Sequence, residues 1–85
     1  SYPNPFNPYT TVSYTIPYNV KVEMYISDIM GRRIVTLVNG KQDKGRKNVR
    51  WDGKNSHGRS VSAGVYYCTL STDQFVKTHK LILLK

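Results

Sequence analysis

The sequence is poor in cysteine and in long apolar runs, and each scarcity excludes a class of protein. One cysteine in 85 residues cannot form an internal disulfide, so the chain is not a disulfide-stapled scaffold. The longest apolar run, Leu81 to Leu84, is far shorter than the roughly 18 residues that a membrane-spanning helix needs. Because 39% of the residues are apolar and seven are tyrosine, the chain is also not a disordered tail. A small folded domain is therefore expected.

The length allows one domain with a thin core. The 85 residues fall at the small end of the range, roughly 50 to 200 residues, that a single hydrophobic core fills. We predict a single domain over residues 1–85, with a Pro-rich opening segment at residues 1–9. We also expect this domain to be a segment of a larger protein; its place as the C-terminal part is what the family resemblance given below implies.

Short alternating runs separated by turn residues predict an all-β, antiparallel domain. Strands are predicted at six places, which are residues 10–16, 20–26, 33–38, 48–51, 64–72 and 75–84. No helical period persists for ten residues. The spacing indicates an immunoglobulin-like β-sandwich of about six or seven strands, the seventh lying in the Pro-rich opening.

Turn residues and one large aromatic add detail to this prediction. Asp28 is expected to accept backbone N–H bonds in a turn in which Gly31 takes a positive φ. Asn39 and Gly40 predict a tight hairpin turn. Trp51 is expected to be the largest contributor to the core, and a long loop is predicted over residues 52–64.

Catalytic and metal-binding groups are too few and too scattered to predict an enzyme. The five acids lie in separate strands and turns, so no pair for general acid and base chemistry is evident. A dyad of Cys68 and His79 is conceivable because the last two strands can pair, but it lacks an orienting third group. Asp52 is the only acid in a loop that partly resembles a calcium site, and it is expected to cap its turn. We predict no catalytic residue, no metal site and no cofactor.

The balance of charge is strongly basic. Thirteen lysines and arginines against five acids give a formal net charge of +8. Seven of these cations fall between positions 41 and 59 and predict a local patch for an anionic surface; they are Lys41, Lys44, Arg46, Lys47, Arg50, Lys54 and Arg59. Nucleic acid is disfavoured as a partner, because the aromatic residues lie at core positions or in the Pro-rich opening. We consider an anionic glycan or lipopolysaccharide as the binding partner of this patch instead.

Five motifs in order along the chain resemble one family. They are Tyr2-Pro3-Asn4-Pro5-Phe6-Asn7-Pro8, Asp28-Ile29-Met30-Gly31-Arg32, Trp51-Asp52-Gly53, Ser62-Ala63-Gly64-Val65-Tyr66, and the terminal run from Lys80 to Lys85. Together they resemble the C-terminal sorting domain of type IX secretion substrates, type A class. A similar immunoglobulin-like module occurs in the flagellar hook-capping protein.

The resemblance implies a function in export. It implies a secretion-targeting and surface-anchoring domain that the outer-membrane type IX machinery recognises, in a protein secreted to the bacterial cell surface. Lipopolysaccharide is then the expected anionic anchor. Carried over by position, the implied recognition residues are Pro3, Asn4, Pro5, Gly64, Tyr66, Lys80, Leu81, Ile82, Leu83, Leu84 and Lys85.

Simpler interpretations stand beside this one. Gly64 can permit a tight chain path while Tyr66 packs inward and its hydroxyl caps a loop. The terminal strand either completes the sandwich or pairs with a partner by β-augmentation, and free strand edges could also support self-association. The alternative function is a retained structural or adhesive immunoglobulin-like module, acting as a spacer, a glycan-contacting accessory domain or a subunit of an extracellular assembly.

Overall fold

Six antiparallel strands make up the part of the chain that the structure describes. A computed structural model describes residues 10–84 and gives the strands β1 Thr10–Ile16, β2 Val20–Ser27, β3 Arg33–Gln42, β4 Gly45–Trp51, β5 Gly64–Ser71 and β6 Val76–Leu83. The predicted all-β antiparallel fold is therefore confirmed. The Pro-rich opening, where a seventh strand was predicted, lies outside the described residues.

The strands divide into two sheets that enclose the core. β1 pairs with β4 in one sheet, and the other sheet has the order β3-β2-β5-β6. Alternation along β1 and β2 directs every second side chain inward, because successive residues of a strand point to opposite faces. The buried cluster draws on both sheets and contains Val12, Tyr14, Ile16, Val22, Met24, Ile26, Trp51, Tyr66, Cys68, Leu70 and Leu83. No helix in the described part of the chain is long and apolar enough to cross a membrane.

Trp51 is the largest fully buried side chain, as predicted. Its exposed fraction is 1%. The Tyr66 ring packs edge-on against it, with 5.1 Å between ring centroids. The indole N–H of Trp51 donates a 3.0 Å hydrogen bond to the carbonyl oxygen of Lys54, so this side chain also fixes the start of the long loop after β4.

The predicted hairpin turn at Asn39 and Gly40 was wrong. Both residues lie within β3, where Asn39 pairs with Glu23 and Gly40 with Val22. β2 continues far enough to offer backbone partners up to Gln42, so the strand pairing outweighs the local turn preference. The chain instead turns at Asp43 and Lys44, and the amide of Lys44 donates a 2.8 Å hydrogen bond to the Asn19 side chain.

β3 is an irregular edge strand. Its register against β2 shifts twice, between the partners of Met24 and Tyr25 and between those of Ile26 and Ser27. Each shift leaves one residue of β3 unpaired, first Leu37 and then Ile34. Such bulges bend a strand and increase its twist. β6, at the opposite edge of the same sheet, pairs with β5 in unbroken register over all eight of its residues.

The β2–β3 turn has the predicted aspartate at its centre. One Asp28 carboxylate oxygen accepts hydrogen bonds from the backbone N–H groups of Met30 and Arg32, at 2.9 and 3.0 Å. The other accepts one from Arg32 Nε at 3.0 Å. Gly31 has a φ of +83°, which glycine adopts readily because it has no Cβ.

Replacing Asp28 by alanine is expected to destabilise the domain at neutral pH but not in acid. The backbone N–H of Arg32, helped by its guanidinium and by the Met30 N–H, holds the pKa of Asp28 below its usual value. A lowered pKa stabilises the folded state above the unfolded pKa of about 4, and this contribution is lost as the pH falls through the folded value. Urea unfolding at neutral pH and near pH 2 measures the difference.

Asp43→Ala is the control for this substitution, because Asp43 is an exposed acid in the next turn of the chain. Its unfolding midpoint should stay close to that of the original chain at both pH values. A deficit for Asp28→Ala that persisted undiminished at low pH would contradict the role assigned to the carboxylate.

Candidate functional site

The conceivable cysteine and histidine dyad is not poised for catalysis. Cys68 and His79 are register partners on β5 and β6. Cys68 is buried, and this burial raises the pKa of its thiol to about 11, whereas His79 is exposed. Because the thiolate is the reactive form, the thiol is a poor nucleophile near neutral pH. Cys68 belongs to the core instead.

The acids serve turns and surface ion pairs. Glu23 Oε2 lies 3.1 Å from Arg33 Nη1, and the Arg33 guanidinium stacks 3.8 Å from the centre of the Tyr25 ring. Asp52 caps its own turn as predicted, accepting a 3.1 Å hydrogen bond from the backbone N–H of Lys54. Within residues 10–84, no three His, Cys, Asp or Glu side chains come together as metal ligands would.

Gly64 and Tyr66 have the structural roles that the simpler interpretation gives them. Gly64 begins β5 with a φ of +148°, in the region that favours glycine. Tyr66 is buried, and its hydroxyl donates a 2.6 Å hydrogen bond to the carbonyl oxygen of Ser62. This bond ties the end of the long loop to the strand that follows it. Pro3, Asn4, Pro5 and Lys85 lie outside the described residues.

Replacing Tyr66 by phenylalanine should lower the free energy of unfolding by about 1 kcal/mol, the usual net contribution of one hydrogen bond. The ring and its contact with Trp51 remain, so only the bond to Ser62 is lost. Tyr67→Phe is the matched control, since Tyr67 lies on the opposite face of β5 and is half-buried. Urea unfolding of both variants tests the assignment, and equal effects would argue against a specific loop anchor.

The seven cations between residues 41 and 59 are spread over both sheets and a loop. Lys41 lies on β3 opposite Lys21, whereas Arg46 and Arg50 project from β4 with Thr15 and Thr11 as their register partners. Lys44 lies in the β3–β4 turn, Lys47 is half-buried on β4, and Lys54 and Arg59 lie in the loop after β4. The segment is thus basic in sequence, and its cations are divided between two sheets, a turn and a loop.

The terminal strand has one buried and one exposed face. Leu83 is 2% exposed and lies opposite Gly64, and Leu81 is half-buried opposite Tyr66. Ile82 and Leu84 face solvent, with exposed fractions of 60% and 74%. Leu81 and Leu83 therefore pack toward the core, whereas Ile82 and Leu84 are not covered by any part of residues 10–84.

A groove runs between the two sheets where β1 and β6 face each other, each at the edge of its own sheet. It contains two open pockets of about 270 and 220 Å³. Ser13 and His79 line both pockets. We call this feature the β1–β6 groove, and its remaining lining residues are Thr11, Val12, Tyr14, Thr15, Leu70, Phe75, Lys77, Lys80 and Leu81.

The sequence analysis missed Lys77 and the groove, and it considered His79 only as a partner of Cys68. A signal was present in β6, because the face that carries Leu81 and Leu83 carries Lys77 and His79 earlier in the strand. A strand face that changes from polar to apolar along its length indicates that only one end of it is covered. The position of β1 across the groove depends on how the two sheets pack, and alternation does not report this.

Comparison with protein families decides which kind of immunoglobulin-like domain this is. The family model of the FlgD Ig-like domain matches residues 9–74, which is more than half of the chain. The chain belongs to the FlgD Ig-like domain family. The match ends just before β6, so the β6 edge of this FlgD Ig-like domain lies beyond the part that the family model covers.

Two solved FlgD structures are similar to this FlgD Ig-like domain. FlgD from P. aeruginosa has a TM-score of 0.71 and 25% sequence identity, covering 92% of this chain and 61% of that one. FlgD from Xanthomonas campestris has a TM-score of 0.69 and 22% sequence identity, and the match covers 92% of this chain and 57% of that one. At this identity the similarity supports the fold and nothing further. The chain thus spans less than two thirds of either FlgD chain. No curated protein sequence matches it.

These comparisons correct the export interpretation. The predicted type IX sorting domain was wrong, because the family that matches is the FlgD Ig-like domain; the similarity to the hook-capping module is the part that holds. The predicted secretion-targeting function fails with the sorting assignment. The outer-membrane secretion machinery as a partner and the location at the cell surface fail with it, as does lipopolysaccharide in the role of anchor that the resemblance implied.

Proposed function

We propose that this FlgD Ig-like domain is a non-catalytic structural module, a subunit of an extracellular assembly that acts through protein contacts. The family match over residues 9–74 carries this proposal. The alternative that the sequence left open, a structural immunoglobulin-like module, fits this family better than a sorting signal. Among the spacer, the glycan-contacting accessory domain and the assembly subunit, the assembly subunit agrees best with the two similar FlgD structures.

The chemistry of the domain supports a role in contact. The one thiol is buried with a raised pKa, and Asp28 and Glu23 are engaged in ion pairs with arginines. By contrast, the surface offers exposed strand edges and exposed apolar side chains, including Ile82 and Leu84. Such features are typical of surfaces that meet another protein.

Hook capping is the specific assembly role that we propose. The X. campestris FlgD structure is described as giving insight into the hook capping essential for flagellar assembly. The present chain has the fold of that protein over 92% of its own length. We infer that it contributes the immunoglobulin-like part of a cap of this kind, with residues 1–85 as one domain.

A domain exchange tests this function. In P. aeruginosa cells, the immunoglobulin-like domain of FlgD is replaced by residues 1–85, and hooks are counted by electron microscopy. We expect the chimera to restore hooks that a FlgD lacking the domain does not form. A chimera carrying Trp51→Ala is the matched control. If the chimera is produced, folded and exported but cells have no hooks, the proposed function is wrong.

A further inference from the structure

We propose that the free edge of β6 binds an extended acidic segment of a partner protein, which adds as a strand beside β6 and places side chains in the β1–β6 groove. This inference rests on the proposed structural role and names the chemistry of the partner. β6 lies beyond the family match, so family membership does not supply it.

The β6 edge is regular and open. β6 ends the order β3-β2-β5-β6, and among residues 10–84 no strand pairs with its outer side. Its eight residues contain neither proline nor glycine, and the first five are all exposed. Proteins commonly blunt such edges with bulges, proline or charged residues, especially lysine. β3, at the other edge of the sheet, has two bulges, whereas β6 has none and carries Lys77 and Lys80, which disfavour a basic strand but not an acidic one. Within the described residues, β6 therefore presents a regular, unpaired backbone edge of the kind that strand addition requires.

The charges on β6 indicate which strand can bind there. β6 contributes Lys77, His79 and Lys80 to the groove, and none of the lining residues in the described part of the chain is acidic. Opposite charges on facing strand residues stabilise pairing, and like charges destabilise it. A second copy of β6 would bring lysines against the same basic strand, and each chain has a net charge of +8. An acidic segment is the complementary occupant.

The size of the pockets favours side chains over a separate small molecule. The pockets of about 270 and 220 Å³ are smaller than most ligand sites, which span roughly 300 to 1,000 Å³. His79 lines both pockets and so lies between them. Alternate residues of an added strand point to the same face, so two such side chains can enter the pockets on either side of His79. Tyr14, Leu70, Val12 and Leu81 supply apolar contact.

Titration of the 85-residue chain with a synthetic peptide tests the inference. The probe is a ten-residue peptide of threonine, valine and glutamate with acidic residues on both faces, and the matched peptide has glutamine in place of every glutamate. NMR gives the affinity and the hydrogen exchange of each amide. We expect saturable binding that protects alternate amides of β6, and binding of the glutamine peptide that is weaker by about tenfold.

Charge reversals locate the site. Lys77→Glu and Lys80→Glu should each weaken acidic-peptide binding by about threefold or more, while Lys21→Glu, an exposed charge on β2, should change it by less than about twofold. If a Glu variant fails to fold, the corresponding Gln variant replaces it. The inference is overturned if the peptide does not bind or if protection falls on β4 rather than β6. It is also overturned if Lys21→Glu weakens binding as much as Lys77→Glu and Lys80→Glu do.

The outcomes of the two tests are distinguishable. A chimera that builds no hooks while the peptide still protects β6 would remove hook capping and leave the acidic partner in place. Restored hooks with no peptide binding would support hook capping and overturn the acidic partner.

Discussion

Replacing Trp51 by alanine should lower the free energy of unfolding by about 3 to 5 kcal/mol, the cost of removing a large buried aromatic side chain. Trp51 is the largest side chain in the core and is 1% exposed. Its ring contacts Tyr66 edge-on at 5.1 Å, and its N–H holds the Lys54 carbonyl. The variant loses both contacts and gains a cavity between the sheets.

The size of the domain makes this loss severe. A small domain has a total stability of only about 5 to 15 kcal/mol, so Trp51→Ala should leave a large unfolded fraction near body temperature. Thermal and urea unfolding followed by circular dichroism measure the change. Tyr18→Ala is the control, because Tyr18 is 39% exposed and its removal should cost less than about 1 kcal/mol. Similar losses for the two variants would contradict the central role of Trp51.

Replacing Leu83 by alanine should cost about 2 to 5 kcal/mol, the usual range for a buried leucine. Leu83 is 2% exposed and is the one residue of β6 that is fully buried. It therefore anchors a strand whose first five residues are exposed. Amide hydrogen exchange in β6 should become faster in this variant, because the end of the strand that holds it to the core is loosened.

Leu84 supplies a control for Leu83 within the same terminal apolar run. Leu84 is 74% exposed, so Leu84→Ala should change the free energy of unfolding by less than about 0.5 kcal/mol. Urea unfolding and hydrogen exchange on both variants distinguish them. Equal costs would mean that the terminal run is buried in a way the described structure does not show.

The sequence predicted the strands better than their arrangement. Alternation located β1 and β2 closely, because the face of a strand that meets the core must be apolar. It failed at Asn39 and Gly40, where pairing with β2 extends β3 past a favourable turn signal. The functions of Asp28 and Tyr66 could be predicted because each acts within a few residues of its own position.

The candidate site depends on contacts between distant parts of the chain. Lys41 and Arg46 are close in sequence, yet the turn between them sends them to different sheets. Conversely, Ser13 and His79 line the same pockets although they lie near opposite ends of the chain. Only the packing of the two sheets brings β1 and β6 together. Local sequence patterns predict which face of a strand a residue occupies. They do not predict which strands lie at the edges of each sheet, and the groove depends on that.

The two bulges in β3 have a consequence for the size of any complex. A sheet with two regular edges can add a strand at each side, and each addition exposes a new edge, so growth has no natural end. In the four-stranded sheet, β3 is bent by its bulges and β6 is regular. Association through this sheet is therefore one-sided. Strand addition at β6 alone would end a row of strands in this sheet and would not extend it through the molecule.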